Sequence, residues 1–147
     1  MRPWKLLLLL CLFLDTVRAQ PPALSFDHYA IQVEDLNTSV KFYQEILNLQ
    51  EIKNKTGLEH IRWFSLGNAL SLHIIEAPGF KNPPEKGIHL ALNTKDLDAI
   101  VKHLRSRDIY FENWQGDANT TNTRADGIRQ IYLKDPDGYW IEINENE

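Results

Sequence analysis

Four side chains of metal-ligating type stand at related places in this sequence. His28 and His89 lie in Asp27-His28-Tyr29-Ala30-Ile31 and Ile88-His89-Leu90-Ala91-Leu92, which align at an offset of 61 residues. Period-2 alternation puts His28, Ala30 and Gln32 on one face and Tyr29, Ile31 and Val33 on the other. His89, Ala91 and Asn93 oppose Ile88, Leu90 and Leu92 in the same way. Further on, Leu70, Leu72 and Ile74 alternate with Ser71 and His73, and Ile141 and Ile143 alternate with Trp140, Glu142 and Asn144. The apolar face of a strand must meet a helix, so His28, His73, His89 and Glu142 are all expected on the non-helical faces. A divalent cation needs three or four N/O ligands converging at about 2.0–2.2 Å from rigid elements. Three imidazoles and a carboxylate suit Zn, Ni, Co, Fe or Mn.

The elements that would position them come in two copies. At the same offset Asp35-Leu36 falls on Asp96-Leu97 and Val40-Lys41 on Val101-Lys102. Six identities in one frame predict a duplicated module, about 25–77 and 86–145. Each copy reads as a strand (27–34 or 87–94), an acidic turn suited to a helix start, and a helix (about 37–47 or 97–105). Three strands follow, about 49–54, 60–66 and 69–76 in the first copy and 108–113, 127–133 and 139–144 in the second. Lys134-Asp135-Pro136-Asp137-Gly138 is a turn signal between the last two. A linker, Ala77 to Lys86, carries Pro78, Gly79, Pro83 and Pro84. The order is βαβββ twice, an α+β fold.

Composition agrees with one globular domain: 147 residues, 43% apolar, 24% charged and 10% aromatic. No basic stripe is visible at a net charge of −4, so a nucleic-acid partner is not expected. Residues 1–19 have the layout of a secretory signal peptide. Arg2 and Lys5 precede the nine apolar residues Leu6 to Leu14, and Val17-Arg18-Ala19 offers a cleavage site. The apolar run is too short to span a bilayer. The expected mature chain, 20–147, begins at Gln20 and has 13 basic and 19 acidic residues, a charge of −6. It would be exported, periplasmic or secreted, and not inserted in a membrane. The single cysteine, Cys11, lies within the leader, so the mature domain has no disulfide, thiol nucleophile or thiolate ligand. Three glycosylation sequons start at Asn37, Asn54 and Asn119.

With these residues in place, the chain resembles the vicinal oxygen chelate superfamily, which includes glyoxalase I, methylmalonyl-CoA epimerase, extradiol dioxygenases, fosfomycin thiol transferases and bleomycin resistance proteins. The stretches that carry the resemblance are Asp27-His28-Tyr29-Ala30-Ile31, Phe42-Tyr43-Gln44-Glu45-Ile46-Leu47, Gly87-Ile88-His89-Leu90-Ala91-Leu92 and the closing Tyr132 to Glu142 with its Asp-Pro-Asp-Gly turn. It implies paired βαβββ modules forming a cupped mixed sheet around one divalent metal, with the helices on the outer face. It also implies a homodimer, some members completing each site from two chains, and a small-molecule substrate with vicinal oxygens. Where three ligands suffice, as in the dioxygenases and thiol transferases, they would be His28, His89 and Glu142. Glyoxalase-like members use a fourth, which here would be His73 in place of the usual Glu or Gln.

The reading this favours is a glyoxalase I-like lyase or isomerase. Its metal would act as Lewis acid, and Glu142 would be the catalytic base that abstracts a proton and returns it to the adjacent carbon. The alternatives are a three-ligand dioxygenase or thiol transferase, and a non-catalytic protein that binds a drug or metabolite. Glyoxalase-like members carry Arg four residues after the first ligand to contact glutathione. This chain has Gln32 there, a candidate substrate contact that speaks against glutathione. Arg62, expected to share a strand face with His60, is a second candidate contact for an anionic substrate. Trp63 and Trp114 are read as packing residues, and the polar segment Trp114 to Arg124 as a lid.

Overall fold

The computed structural model of the chain describes residues 23–81 and 85–146. The leader and the expected start at Gln20 lie outside the described residues.

Both modules form, each around its own four-stranded mixed sheet. The first comprises β1 (His28–Val33), α1 (Leu36–Lys41), β2 (Glu51–Ile52), β3 (Ile61–Gly67) and β4 (Leu70–Glu76). The second comprises β5 (His89–Asn93), α2 (Leu97–Ser106), β6 (Asn122–Thr123), β7 (Arg129–Lys134) and β8 (Trp140–Asn144). The sheet orders, β1-β4-β3-β2 and β5-β8-β7-β6, are the same, and each first strand runs parallel to its module's last.

Local chemistry repeats along with topology. Asp35 caps α1 by accepting from the Thr38 amide at 2.7 Å, and Asp96 caps α2 by accepting from the Ala99 amide at 2.8 Å. The first helix continues into a π-helical turn, Phe42–Ile46, closed by Leu47 N–H bonding to the Phe42 carbonyl at 3.2 Å. Asn48 (φ 52°) and Asp108 (φ 53°) then break the two helices in the left-handed conformation that their residue types tolerate.

The core lies where the alternation put it. Ile31, Val33, Leu72, Ile74, Ile141 and Ile143 are buried with Leu36 and Val40 of α1 and Leu97, Val101 and Leu104 of α2. The Asp-Pro-Asp-Gly turn joins the two modules. Asp135 accepts from the Tyr43 hydroxyl at 2.8 Å, while Asp137 accepts from the Glu34 amide at 2.7 Å and the Ser39 hydroxyl at 2.8 Å. Burial pushes the Asp135 carboxyl up to about 6, although the bonds from Tyr43 and from the Tyr139 amide oppose the rise.

One expected strand is corrected. Residues 108–113 do not form a strand; only Glu112 pairs, bridging to Ala118 and Tyr132, and the short edge strand is β6 instead. Asp108 turns the chain out of extended geometry, and Asn113 and Asp117 then bond each other through both side chains and backbone, folding the segment back. The expected lid, Trp114 to Arg124, is likewise bonded, both within itself and to the residues before it. The Trp114 amide donates to Asn122 Oδ1 at 3.0 Å and the Asn119 amide to the Phe111 carbonyl at 2.8 Å.

Candidate metal centre

Strand register turns the four candidate ligands into two pairs. Ala30 on β1 is opposite His73 on β4, and Ala91 on β5 is opposite Glu142 on β8, so the small alanine leaves room for each ligand beside it. His28 and His73 meet on the first sheet, their rings stacked at 4.3 Å and 12° from parallel. His89 and Glu142 meet on the second, with Nε2 and Oε2 3.2 Å apart. Among the described residues, no group of three or more His, Cys, Asp or Glu converges closely enough to hold a metal ion. One chain thus presents two half-sites.

The proton positions of the first-strand histidines follow from their partners. The Lys86 carbonyl, which can only accept, lies 2.8 Å from His89 Nδ1, so Nδ1 carries the hydrogen. In the neutral ring the lone pair is then on Nε2, facing Glu142. Two lone-pair atoms at 3.2 Å repel unless a cation lies between them, either a proton on Nε2 or a metal ion. Two ligands each about 2.0–2.2 Å from one ion stand roughly 3.0–3.4 Å apart, so the pair fits a metal. His28 matches: its Nδ1 bonds Asp27 Oδ2 at 2.6 Å, leaving Nε2 for a ligand. An oxygen partner on the remote ring nitrogen is the usual support of a metal-bound imidazole.

His73 sits differently. Its ring lies between His28 and Trp63, stacked on the Trp63 indole at 4.0 Å, and its Nε2 bonds the Ser71 hydroxyl at 2.9 Å. Stacked rings direct their in-plane lone pairs side by side, so His28 and His73 need a ring rotation to share one ion. Burial, and then the charge of His28, lower the His73 pKa from its ordinary value, with Asp27 opposing, which favours the neutral ring.

Glu142 is buried at 4% exposure within a ring of donors. Tyr132 donates its hydroxyl at 2.5 Å to Oε2, and Asn144 Nδ2 (2.7 Å) and Arg124 Nη1 (3.2 Å) reach Oε1. Burial alone would raise the carboxyl; the bonds from Tyr132 and Asn144 and the charges of His89 and Arg124 outweigh it and leave the group below its ordinary value. The sequence patterns missed Tyr132, Asn144 and Arg124, and Trp63 was read as packing. Asn144 shares the period-2 face of Glu142 and was readable; the others depend on register or loop geometry.

The two substrate candidates part company. Gln32 is exposed on the face of β1 that carries His28. Arg62 is opposite Ile74, on the face of Phe64 and away from Trp63 and His73, and pairs through two nitrogens with Glu51. His60 precedes β3 and does not share a strand with it.

Comparison with known proteins agrees with the fold. The family model described as Glyoxalase/Bleomycin resistance protein/Dioxygenase superfamily matches residues 25–143. Uncharacterized protein YwbC of Bacillus subtilis is 29% identical over 123 residues, 80% of this chain and 94% of that protein. A probable lactoylglutathione lyase of Vibrio parahaemolyticus is 23% identical over 128 residues, 82% of this chain and 89% of that one. Among solved structures, a glyoxalase/dioxygenase from Nostoc punctiforme is 25% identical with a TM-score of 0.66, covering 82% of this chain and 89% of that one. On the family match and the doubled βαβββ module, the chain belongs to the glyoxalase/bleomycin resistance protein/dioxygenase superfamily.

Proposed function

We propose that the chain is a metal-dependent, glyoxalase-like lyase or isomerase for a small substrate with two neighbouring oxygens. It works as a homodimer in which His28 and His73 of one protomer meet His89 and Glu142 of the other. The observation that carries the reading is the shared state of the first-strand histidines: both have Nδ1 tied to an oxygen and Nε2 left for a ligand. A bound Zn, Ni, Co, Fe or Mn ion would polarise the substrate's vicinal oxygens.

The chain's own residues do the rest. Glu142 takes a proton from the substrate carbon and returns it to the neighbouring carbon. As it stands its carboxylate is held by three donors and is a weak base, so proton transfer requires it to give up at least one of them. Tyr132 is placed to follow the charge, since its hydroxyl is already on Oε2. Asn144 keeps the other oxygen fixed, and Lys86 fixes the His89 ring through its carbonyl.

The experiment is elemental analysis of the reconstituted protein together with exchange of the substrate's α-proton into solvent. One ion per site, lost in His89→Ala, and exchange abolished in Glu142→Gln with metal held more weakly, are the expected results. Absence of metal after reconstitution, with His89→Ala indistinguishable from wild type, would refute metal dependence; full exchange in Glu142→Gln would remove Glu142 as the base. The stacking of His73 between Trp63 and His28 favours a second reading, in which His28, His89 and Glu142 alone hold the metal. That reading makes the protein a dioxygenase or thiol transferase, scored by oxygen uptake with catechols or thiol addition to an epoxide.

A further inference from the structure

Beside His73 the first sheet carries a cavity of about 410 Å³, within the range of about 300–1,000 Å³ usual for small-molecule sites. Lys53, Lys55, Trp63, Ser71, His73 and Asp27 are among the residues that line it. Among the described residues neither Lys53 nor Lys55 forms a salt bridge, a condition they share with several other surface lysines, but these two line one cavity. The one carboxylate in the lining, Asp27, is bonded to His28. Two ammonium groups therefore face a single carboxylate that already has a partner. Trp63 adds a second, independent feature: its indole N–H is buried and has no hydrogen-bond partner. Buried donors are rarely left so, and Trp63 is one of the residues that line the cavity.

We propose that the cavity binds an anionic group, a carboxylate or a phosphate, carried by the substrate whose vicinal oxygens reach the metal ligands. This rests on the proposed function in one respect, that the His28–His73 face is part of the substrate site. Lys53 and Lys55 supply the attraction, the indole N–H of Trp63 supplies a directed bond, and the Trp63–His73 stack forms a flat wall. The substrate class is then a vicinal-oxygen compound with an anionic arm. Arg62, on the other face of β3, has no part in it.

Inorganic phosphate and benzoate, titrated separately into the chelator-treated full chain at low ionic strength, are the probes; the indole N–H signals in nitrogen–proton correlation spectra are the readout. The signal of Trp63, identified by its loss in Trp63→Phe, should shift saturably with phosphate, benzoate or both, which names the anion. The double variant Lys53→Gln/Lys55→Gln should bind about tenfold more weakly. Both lysines are exposed, so the rest of the amide spectrum should be unchanged and reports an intact fold. No saturable shift with either anion, or the same dissociation constant in the double variant, overturns the inference, and neither result depends on a metal. On the metal-loaded protein 3,4-dihydroxybenzoate should bind more tightly than catechol, and the double variant should lose that preference. A preference that survives in the variant overturns the link between cavity and substrate. Failure of catechol to bind at all counts against the proposed function and leaves the phosphate and benzoate titrations to decide on the cavity.

Discussion

A carboxylate at 4% exposure would ordinarily be driven toward its neutral form, and Glu142 is held the other way by the groups around it. Tyr132 is the central donor. Its own hydroxyl is raised, first by burial and then by the bond to Glu142, so the proton stays on Tyr132 and the charge on Glu142. Because the Glu142 pKa is lower in the folded chain than its ordinary 4.5, its contribution to stability is present above about that pH. It is lost as pH falls through the folded value. Tyr132→Phe removes the donor and leaves the buried Glu142 Oε2 without a hydrogen-bond donor. It should cost about 1.5–3 kcal/mol at pH 7, the usual worth of a hydrogen bond to a charged group. The deficit should shrink at pH 3, where Glu142 is increasingly protonated in wild type too. Urea unfolding of the two proteins at both pH values measures this, and an equal deficit at both would show that Tyr132 is a packing residue only.

Duplication at the level of elements explains what could be read without coordinates. Alternation fixed the side of His28, His73, His89 and Glu142 because one face of each strand had to be buried, and the structure buries Ile31, Val33, Ile74, Ile141 and Ile143 accordingly. The caps were equally local: Asp35 and Asp96 bond the amide three residues on in both helices. Asp96→Ala should therefore destabilise the fold by about 0.5–2 kcal/mol, and Asp35→Ala by a similar amount, as judged by thermal melts. A much larger effect of either would mean a role beyond capping. What escaped the sequence was set by non-local partners. Trp63 becomes a neighbour of His73 through the β3–β4 register, and Tyr132 of Glu142 through β7–β8. Arg62 lies on the face of β3 opposite Trp63 and is held there by Glu51, a partner that the sequence pattern does not reveal. The missing strand at 108–113 has a suitable composition, but only Glu112 finds a ladder partner on β7.

Across the whole molecule, the two sheets expose very different edges. Their far edges, β2 and β6, are strands of two residues each, too short to recruit another chain. The near edges are full-length, β1 of six residues and β5 of five, each hydrogen-bonded on one side only among the described residues. Phe26 (61% exposed) and Ile88 (63%) sit just before them, and each edge strand carries one candidate ligand, His28 or His89, with the second of its pair on the adjoining strand. A symmetric pair that sets β1 of one protomer beside β5 of the other closes both edges, covers these side chains and makes two equivalent four-residue sites. That arrangement can be tested without knowing the substrate. His28→Ala disables the first half-site and Glu142→Ala the second, so each variant alone should lose tight metal binding. Mixed, unfolded and refolded together, they form heterodimers in which one site combines two intact halves and the other two damaged ones. Random assembly makes half the dimers mixed, so about a quarter of the wild-type tight sites should return. If the sites were built within single chains, every chain in the mixture would still carry one damaged half and no tight binding would reappear. Recovery near a quarter, counted by metal retained after gel filtration, therefore supports a site shared between protomers, and none at all would place each site inside one chain.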